Sequence, residues 1–393
     1  MERCLTGPMV RGTHLHSYYL LRDVLPTSSG PPAASQRAVG QCPFAKGDDT
    51  FLLSLDSLGE PDEPHALLRG LMFDYLLDDA AAARAAMSDA NTRALLTKFK
   101  AAYEQQRAAG ESLWSDRELP ELVLRWVHYA LFGVLLDSAQ YETLRLLYLA
   151  GDGSSPSGTK YHFFPGGGLV GGRETVAGTG RRMSELRAAA VELYVRSPGL
   201  RDYRDDAPLG KRDFCVAMLS IMTLAGIAGP LSAAQGLLKG QWHGEVPDDF
   251  PLPVDDRDKL RLVVLESQRL RPSVFGTALE PRTPFTLQIG GAAVTFPPGT
   301  PLVLNYRTAG TQESVWHKPR HFLPYERAAQ LWGPQSSFWA FNSAGDKTGG
   351  DLRTGRMCPG RDLALTFLLD LLQVLHGAGR ELKFRFLFFF FPL

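Results

Sequence analysis

The chain has little cysteine. Cys4, Cys42, Cys215 and Cys358 are its four, far apart and never in a CxxC pair. That spacing argues against a zinc site or a disulfide framework and fits a reducing compartment. Net charge is also absent: 42 basic residues balance 42 acidic ones, so no global field recruits nucleic acid or an anionic membrane surface. No apolar signal-peptide core is visible. The first forty residues hold only Glu2 and Asp23 as acids and run into the loop-like stretch Thr27–Ser35, which fits an organelle transit peptide or an irregular N-terminal arm over residues 1–50. Long uncharged runs are scarce too. Phe214 to Leu238 is the one such stretch, and Gly226, Gly229, Pro230 and Gln235 interrupt it, so a helix crossing a core is favoured over a membrane span. No internal repeat is visible.

With 393 residues and 44% hydrophobic content, the chain can bury the core of one large domain or two ordinary ones. Good helix formers fill Asp78 to Gly110, and apolar residues recur at helical spacing from Glu118 to Ala150 through Leu122, Trp126, Ala130 and Leu131. The Gly- and Ser-rich stretch from Gly151 to Gly180 reads as a long loop. Helices resume at Arg182 to Val195, Lys211 to Lys239 and Val254 to Leu270. After Pro272 short strands follow at Phe285–Ile289, Ala293–Phe296 and Pro301–Asn305, with Gly290-Gly291 as the turn of a tight hairpin. The expected fold class is mainly α with a small β-sheet region.

Two groups of residues carry chemistry. Cys358 opens a Gly-containing turn ahead of an apolar helix from Leu363 to about His376; backbone N–H groups, the helix N-terminus, Arg356 and Arg361 would stabilise a thiolate there, as an iron ligand needs. Taken alone, such a cysteine is more often a buried structural thiol. Glu266 and Arg269, three apart on one helical face and flanked by Leu262–Leu265 and Leu270, suggest a buried pair, which needs a third partner; Arg327 in Phe322–Arg327 is a second arginine downstream.

In order and spacing, Glu266-x-x-Arg269, a two-stranded excursion, Pro324–Arg327 and Arg356-x-Cys358-x-Gly360 before a helix resemble the cytochrome P450 superfamily. The resemblance implies a heme b cofactor, Cys358 as axial ligand of the iron, a structural triad of Glu266, Arg269 and Arg327, and Arg356 on a propionate. The stretch Leu55–Arg69 looks like the start of the helix at the heme edge, where His65 and Arg69 would approach the propionates. A catalytic domain over residues 51–393, shortened at both ends, is expected.

Two departures resemble one branch of that superfamily, the allene oxide synthases, hydroperoxide lyases and epoxyalcohol synthases. The central segment around Met222–Pro230 lacks an acid for a proton relay, and the loop between Phe338 and Cys358 is enlarged. By this resemblance the substrate is a fatty-acid hydroperoxide, rearranged without reductase, NADPH or dioxygen. Thr223 aligns with the branch's peroxide-holding amide, Gly226 leaves substrate room beside the iron, and Arg356 replaces a lysine. Two alternatives stand beside it: a dioxygen-using monooxygenase with a reductase partner, and a truncated, inactive heme-binding remnant. The tail Lys383–Leu393, with phenylalanine at each of 388–391, would be an aggregation-prone strand if exposed, and reads as a truncated or misjoined reading frame or as a membrane-seeking tip making peripheral contact.

Overall fold

The structure, a computed structural model, describes residues 13–15, 35–37, 64–109, 117–149, 183–238, 250–274, 276–281, 284–289, 292–298, 300, 302–333, 336, 338, 340 and 358–377. The tail at 383–393, the long loop at 151–180 and the enlarged loop before Cys358 lie outside them.

Among the described residues helices dominate. They are α1 (Pro64–Tyr75), α2 (Asp79–Ala85), α3 (Ala90–Ala108), α4 (Glu118–Phe132), α5 (Ser138–Tyr148), α6 (Met183–Val195), α7 (Lys211–Ile221), α8 (Gly229–Leu238), α9 (Arg257–Leu270), the short α10 (Tyr306–Gly310) and α11 (Ala328–Leu331), and α12 (Arg361–His376). Side chains set their boundaries. Asp78 accepts from the Ala81 N–H at 2.8 Å and Asp89 from Asn91 and Thr92, so the Ala-rich stretch becomes two helices with a cap at each start. Asp137 and Gln140 cap α5 reciprocally. Gly133, at φ +68°, ends α4 in the left-handed conformation that glycine adopts without strain.

Helix α4 is buried nearly all round, as its apolar sequence requires, and the other helices pack about it. Trp126 lies against Phe367 of α12 with ring centroids 4.6 Å apart. Arg84 of α2 donates to the carbonyls of Ala130 and Leu131 at 2.9 and 3.1 Å, satisfying the C-terminal end of α4 from a neighbouring helix. Inside the packing, His128 has Nδ1 2.7 Å from the Leu124 carbonyl, so this nitrogen carries the proton and donates. Its Nε2 accepts from Tyr194 at 2.9 Å, and Tyr194 meets Tyr148 at 2.8 Å.

The strands form two sheets. β4 (Phe285–Ile289) and β5 (Ala292–Phe296) pair as the expected hairpin, with Ile289 opposite Ala292 across a two-residue connection. β1 (Thr13–Leu15), β6 (Leu302–Asn305), β3 (Gly276–Pro281) and β2 (Ser35–Arg37) form the other sheet in that order; β1 runs parallel to β6, and the remaining neighbours are antiparallel. Two of these strands, β1 and β2, lie within the first fifty residues. Three-residue strands are too short to show alternation in sequence, and their partners lie more than 240 residues away.

No helix among the described residues is long and apolar enough to cross a membrane. The uncharged stretch is interrupted as its glycines suggested, yet Pro230 does not end it. A π turn at Met222–Ala228 joins α7 to α8 without a break, and Pro230 lies in the first turn of α8, just beyond that wider ring.

Two buried histidines make the fold acid-sensitive. Burial pushes His128 and His376 down to about 4 from an ordinary 6.5. Between pH 6.5 and 4 the unfolded chain therefore binds more protons than the folded one, and stability is lost as pH falls through that window. The loss should be on the order of 2–3 kcal/mol per histidine. Urea midpoints measured across it should fall with pH, and less steeply in His128→Gln.

Candidate functional site

The site is built on the carboxylate of Glu266, fully buried on α9. An ionised group cannot stay there unpaired, and two guanidiniums answer it. Arg269, one turn along the same helix, donates through Nε and Nη2 at 2.7 and 2.8 Å, a bidentate fork. Arg327 donates to the same carboxylate from the other side, and the Leu323 N–H adds a bond at 3.0 Å. Two cations on one anion leave surplus donors, which backbone carbonyls take up. Arg269 reaches Gly310, Pro319 and His321, while Arg327 reaches His317, Lys318 and His321. Lys318 sits at φ +47°, the one non-glycine residue of positive φ among those described, and in that conformation its carbonyl accepts from Arg327 at 2.6 Å. Trp316 closes the cluster: its ring lies 5.0 Å from the Arg269 guanidinium, and its indole N–H donates to Ala309.

The structure thus brings Glu266, Arg269 and Arg327 together. The carbonyl-bearing segment at 317–321, Trp316 and Gly310 were not singled out from sequence. Gly310 had no detectable signal, because its need is purely spatial: a Cβ there would come within 2.5 Å of the Arg269 carbonyl.

From α9 the contacts lead to the cysteine. Arg257 donates to Asp370 and Gln373 of α12 at 2.5 and 2.8 Å. The Trp332 ring lies between two cations, Arg261 of α9 at 5.5 Å and Arg361 of α12 at 4.7 Å. Cys358 precedes that helix by a two-residue turn, closed where the Arg361 N–H donates to the Cys358 carbonyl. The helix starts at Arg361, two residues before the expected start at Leu363.

The cysteine lines a cavity of about 160 Å³ between the end of α1, α2 and the start of α12, with Phe73, Leu77, Ala81, Pro359 and Thr366 in its wall. Burial pushes its thiol above the ordinary value, while the Gly360 N–H and the charges of Arg69 and Arg361 act in the opposite direction. The polarising groups expected from sequence are therefore present, except that Arg356 lies outside the described residues and Arg69 joins them. Desolvation is the largest of these effects.

Arg69 is buried on α1 with its guanidinium 5.7 Å from the Phe73 ring centre. His65 is on the same helix, but its side chain lies outside the description, as does that of Thr223 in the π turn. Gly226 is in that turn too. A Cβ at that position would come 2.8 Å from the sulfur of the Met222 side chain.

The donor set fits a heme-thiolate centre. It comprises one sulfur at the head of a helix, backbone N–H and guanidinium groups around it, and a buried cation of the kind a propionate requires. No grouping of histidine, cysteine and carboxylates that could hold a bare metal ion occurs among the described residues.

No protein-family model matches the sequence, and neither does any curated protein. Solved structures do. A variant of cytochrome P450SP alpha (CYP152B1) superposes with a TM-score of 0.59 at 19% identity, over 92% of this chain and 82% of that one. The ligand-free P450 monooxygenase TamI gives 0.56 at 19% identity, over 94% and 78%. A six-coordinated cytochrome P450 from Thermus thermophilus gives 0.54 at 18%, over 92% and 83%. The chain has the cytochrome P450 fold, the class expected from its motifs.

Removing the central carboxylate should be severe. Glu266→Ala leaves two buried guanidiniums facing each other and should cost about 3–5 kcal/mol, read as a lowered urea midpoint. Arg327→Lys keeps the charge but loses the bonds to the His317 and Lys318 carbonyls and should cost less.

Proposed function

We propose that this chain is a heme-thiolate enzyme that rearranges fatty-acid hydroperoxides without an external electron donor. The observation that carries the reading is the central helical segment. Its π turn, Met222–Ala228, contains no carboxylate, and neither does any other position from Phe214 to Leu238. A chain that activates dioxygen needs a proton source beside the iron; a hydroperoxide arrives already oxidised and needs none.

The chain's own groups take these parts. Cys358 would supply the thiolate that holds the iron. Arg69, whose charge reaches Cys358, would hold a propionate, joined by His65 and Arg356. Glu266, Arg269 and Arg327 keep the helices behind the cysteine in place. The chemistry that heme supplies when bound is homolytic cleavage of the peroxide O–O bond, favoured by electron donation from the thiolate. Thr223 donates a hydrogen bond that orients the hydroperoxide, and Met222, beside Gly226, bounds the room left for the aliphatic chain. Whether the product is an allene oxide, a pair of aldehydes or an epoxyalcohol depends on how the substrate radical is quenched.

A second reading, a monooxygenase fed by a reductase, draws support from the name of TamI. The cations around the cysteine helix speak for the first. Arg257, Lys259, Arg261 and Arg361 each have a carboxylate partner within the chain, namely Asp370, Asp256, Asp258 and Asp362. An acidic electron donor would have to displace these pairs to dock.

Purified protein loaded with heme should show the absorbance of a thiolate-ligated iron, lost in Cys358→Ala. Mixed with linoleate hydroperoxide in the absence of NADPH, it should rapidly bleach the conjugated diene. Thr223→Val should slow bleaching by about tenfold, as expected for one lost hydrogen bond to the reacting group. Turnover only with reductase and NADPH would establish the monooxygenase instead, and heme binding with no turnover under either condition would establish the remnant.

A further inference from the structure

A second depression, of about 490 Å³, lies where the end of α4, the start of α5, the last turns of α6 and the short 3-10 turn Pro198–Leu200 meet. None of its lining residues belongs to the Cys358 cavity. Its wall is apolar, with Val134, Leu135, Leu193 and Pro198, and Leu135 is 56% exposed, more than any other large hydrophobic residue described. An apolar side chain held that far into water at a groove's edge is what a ligand would cover.

Two polar features orient the groove. Ser197 lines it and is only 3% exposed, yet its hydroxyl has no hydrogen-bond partner among the described residues. Although Ser197 stands at the cap position of the 3-10 turn, its side chain makes no cap bond. A buried hydroxyl left without a partner is costly, so a rotation of this side chain toward an acceptor in the groove gains a bond at no competing loss. Beside it, Arg196 is exposed and shares one carboxylate with another cation: Glu192 meets Arg212 at 2.5 Å and Arg196 only at 3.5 Å. Two guanidiniums on one carboxylate leave a unit of positive charge at the groove's polar end.

We propose that this groove binds an aliphatic carboxylate, its chain along Leu135, Val134, Leu193 and Pro198 and its head on Arg196 and the Ser197 hydroxyl. The volume is of the size that holds a small organic ligand. A flat apolar partner would not need the hydroxyl, and a nucleotide would need more than one cation. This site is separate from the Cys358 centre and does not rest on the chemistry assigned there.

The test uses the full-length protein carrying Leu135→Trp, a change at an exposed position, with ω-bromodecanoate as a quencher of that indole. The fluorescence added by Leu135→Trp should fall with saturation. Arg196→Glu, on the same background, should weaken binding about tenfold, and Ser197→Ala by a smaller factor. ω-Bromodecanol, which lacks the charge, should bind about tenfold more weakly than the acid. Circular dichroism of each variant checks that the fold is retained. Quenching that never saturates, that is equal for acid and alcohol, or that is indifferent to Arg196→Glu would overturn the proposal. So would quenching by vesicles of brominated phosphatidylglycerol but not by the monomeric acid, which would make the groove a membrane contact. A failed hydroperoxide assay would leave each of these readouts unchanged.

Discussion

Everything around the cysteine depends on one buried carboxylate. Glu266 is an anion in a place where water cannot reach it, so the chain must surround it with donors. Meeting that demand fixes much more than one ion pair. Arg269 and Arg327 bring surplus N–H groups, and five backbone carbonyls from 310 to 321 turn inward to accept them. The irregular segment between α10 and α11 therefore has a shape dictated by hydrogen bonding, not by helix or strand propensity. From that fixed body α9 extends to the cysteine helix through Arg257 on Asp370 and through the indole of Trp332, held between Arg261 and Arg361.

The cysteine itself is balanced between opposing effects. Positive charge and a backbone N–H favour the anion; the apolar wall of its cavity favours the neutral thiol and is the larger effect. A positively charged ligand atom would reverse that balance, since the groups that favour the anion are already in position. The nearby surface cations are likewise each neutralised within the chain, so the field at this face is locally screened.

Much of this was legible in sequence because it rests on short-range rules. Helix α12 after Cys358, the Glu266–Arg269 spacing and the hairpin at Gly290-Gly291 are set by residues within a few positions of one another. Arg327 became legible through the order of motifs, not through its neighbours. What escaped was set by distance in sequence. Strands β1 and β2 exist only because β6 and β3 offer them edges. Gly310 is required by a carbonyl 41 residues away on α9. The state of the Cys358 thiol depended on how much apolar wall surrounds it, which local charge counting omits. Pro230 misled for the opposite reason: the local rule that proline ends a helix is sound, but Pro230 lies just beyond the wider ring of the π turn, and the helix runs on.

That wider ring has a consequence for how the chain tolerates change. A π turn carries one residue more per hydrogen-bonded ring than an α turn, so Met222–Ala228 acts as a single-residue insertion held inside a continuous rod. If the same residues closed into regular α-helix with the length unchanged, every side chain of α8 would swing by about 100° about the axis. Ala233, Ala234 and Leu237, now in the core, would be carried off their seats, and Pro230 would fall in a helix interior. The wide hydrogen-bonded ring of this segment, more than the identity of its residues, is therefore what keeps the two halves of the central helix in phase.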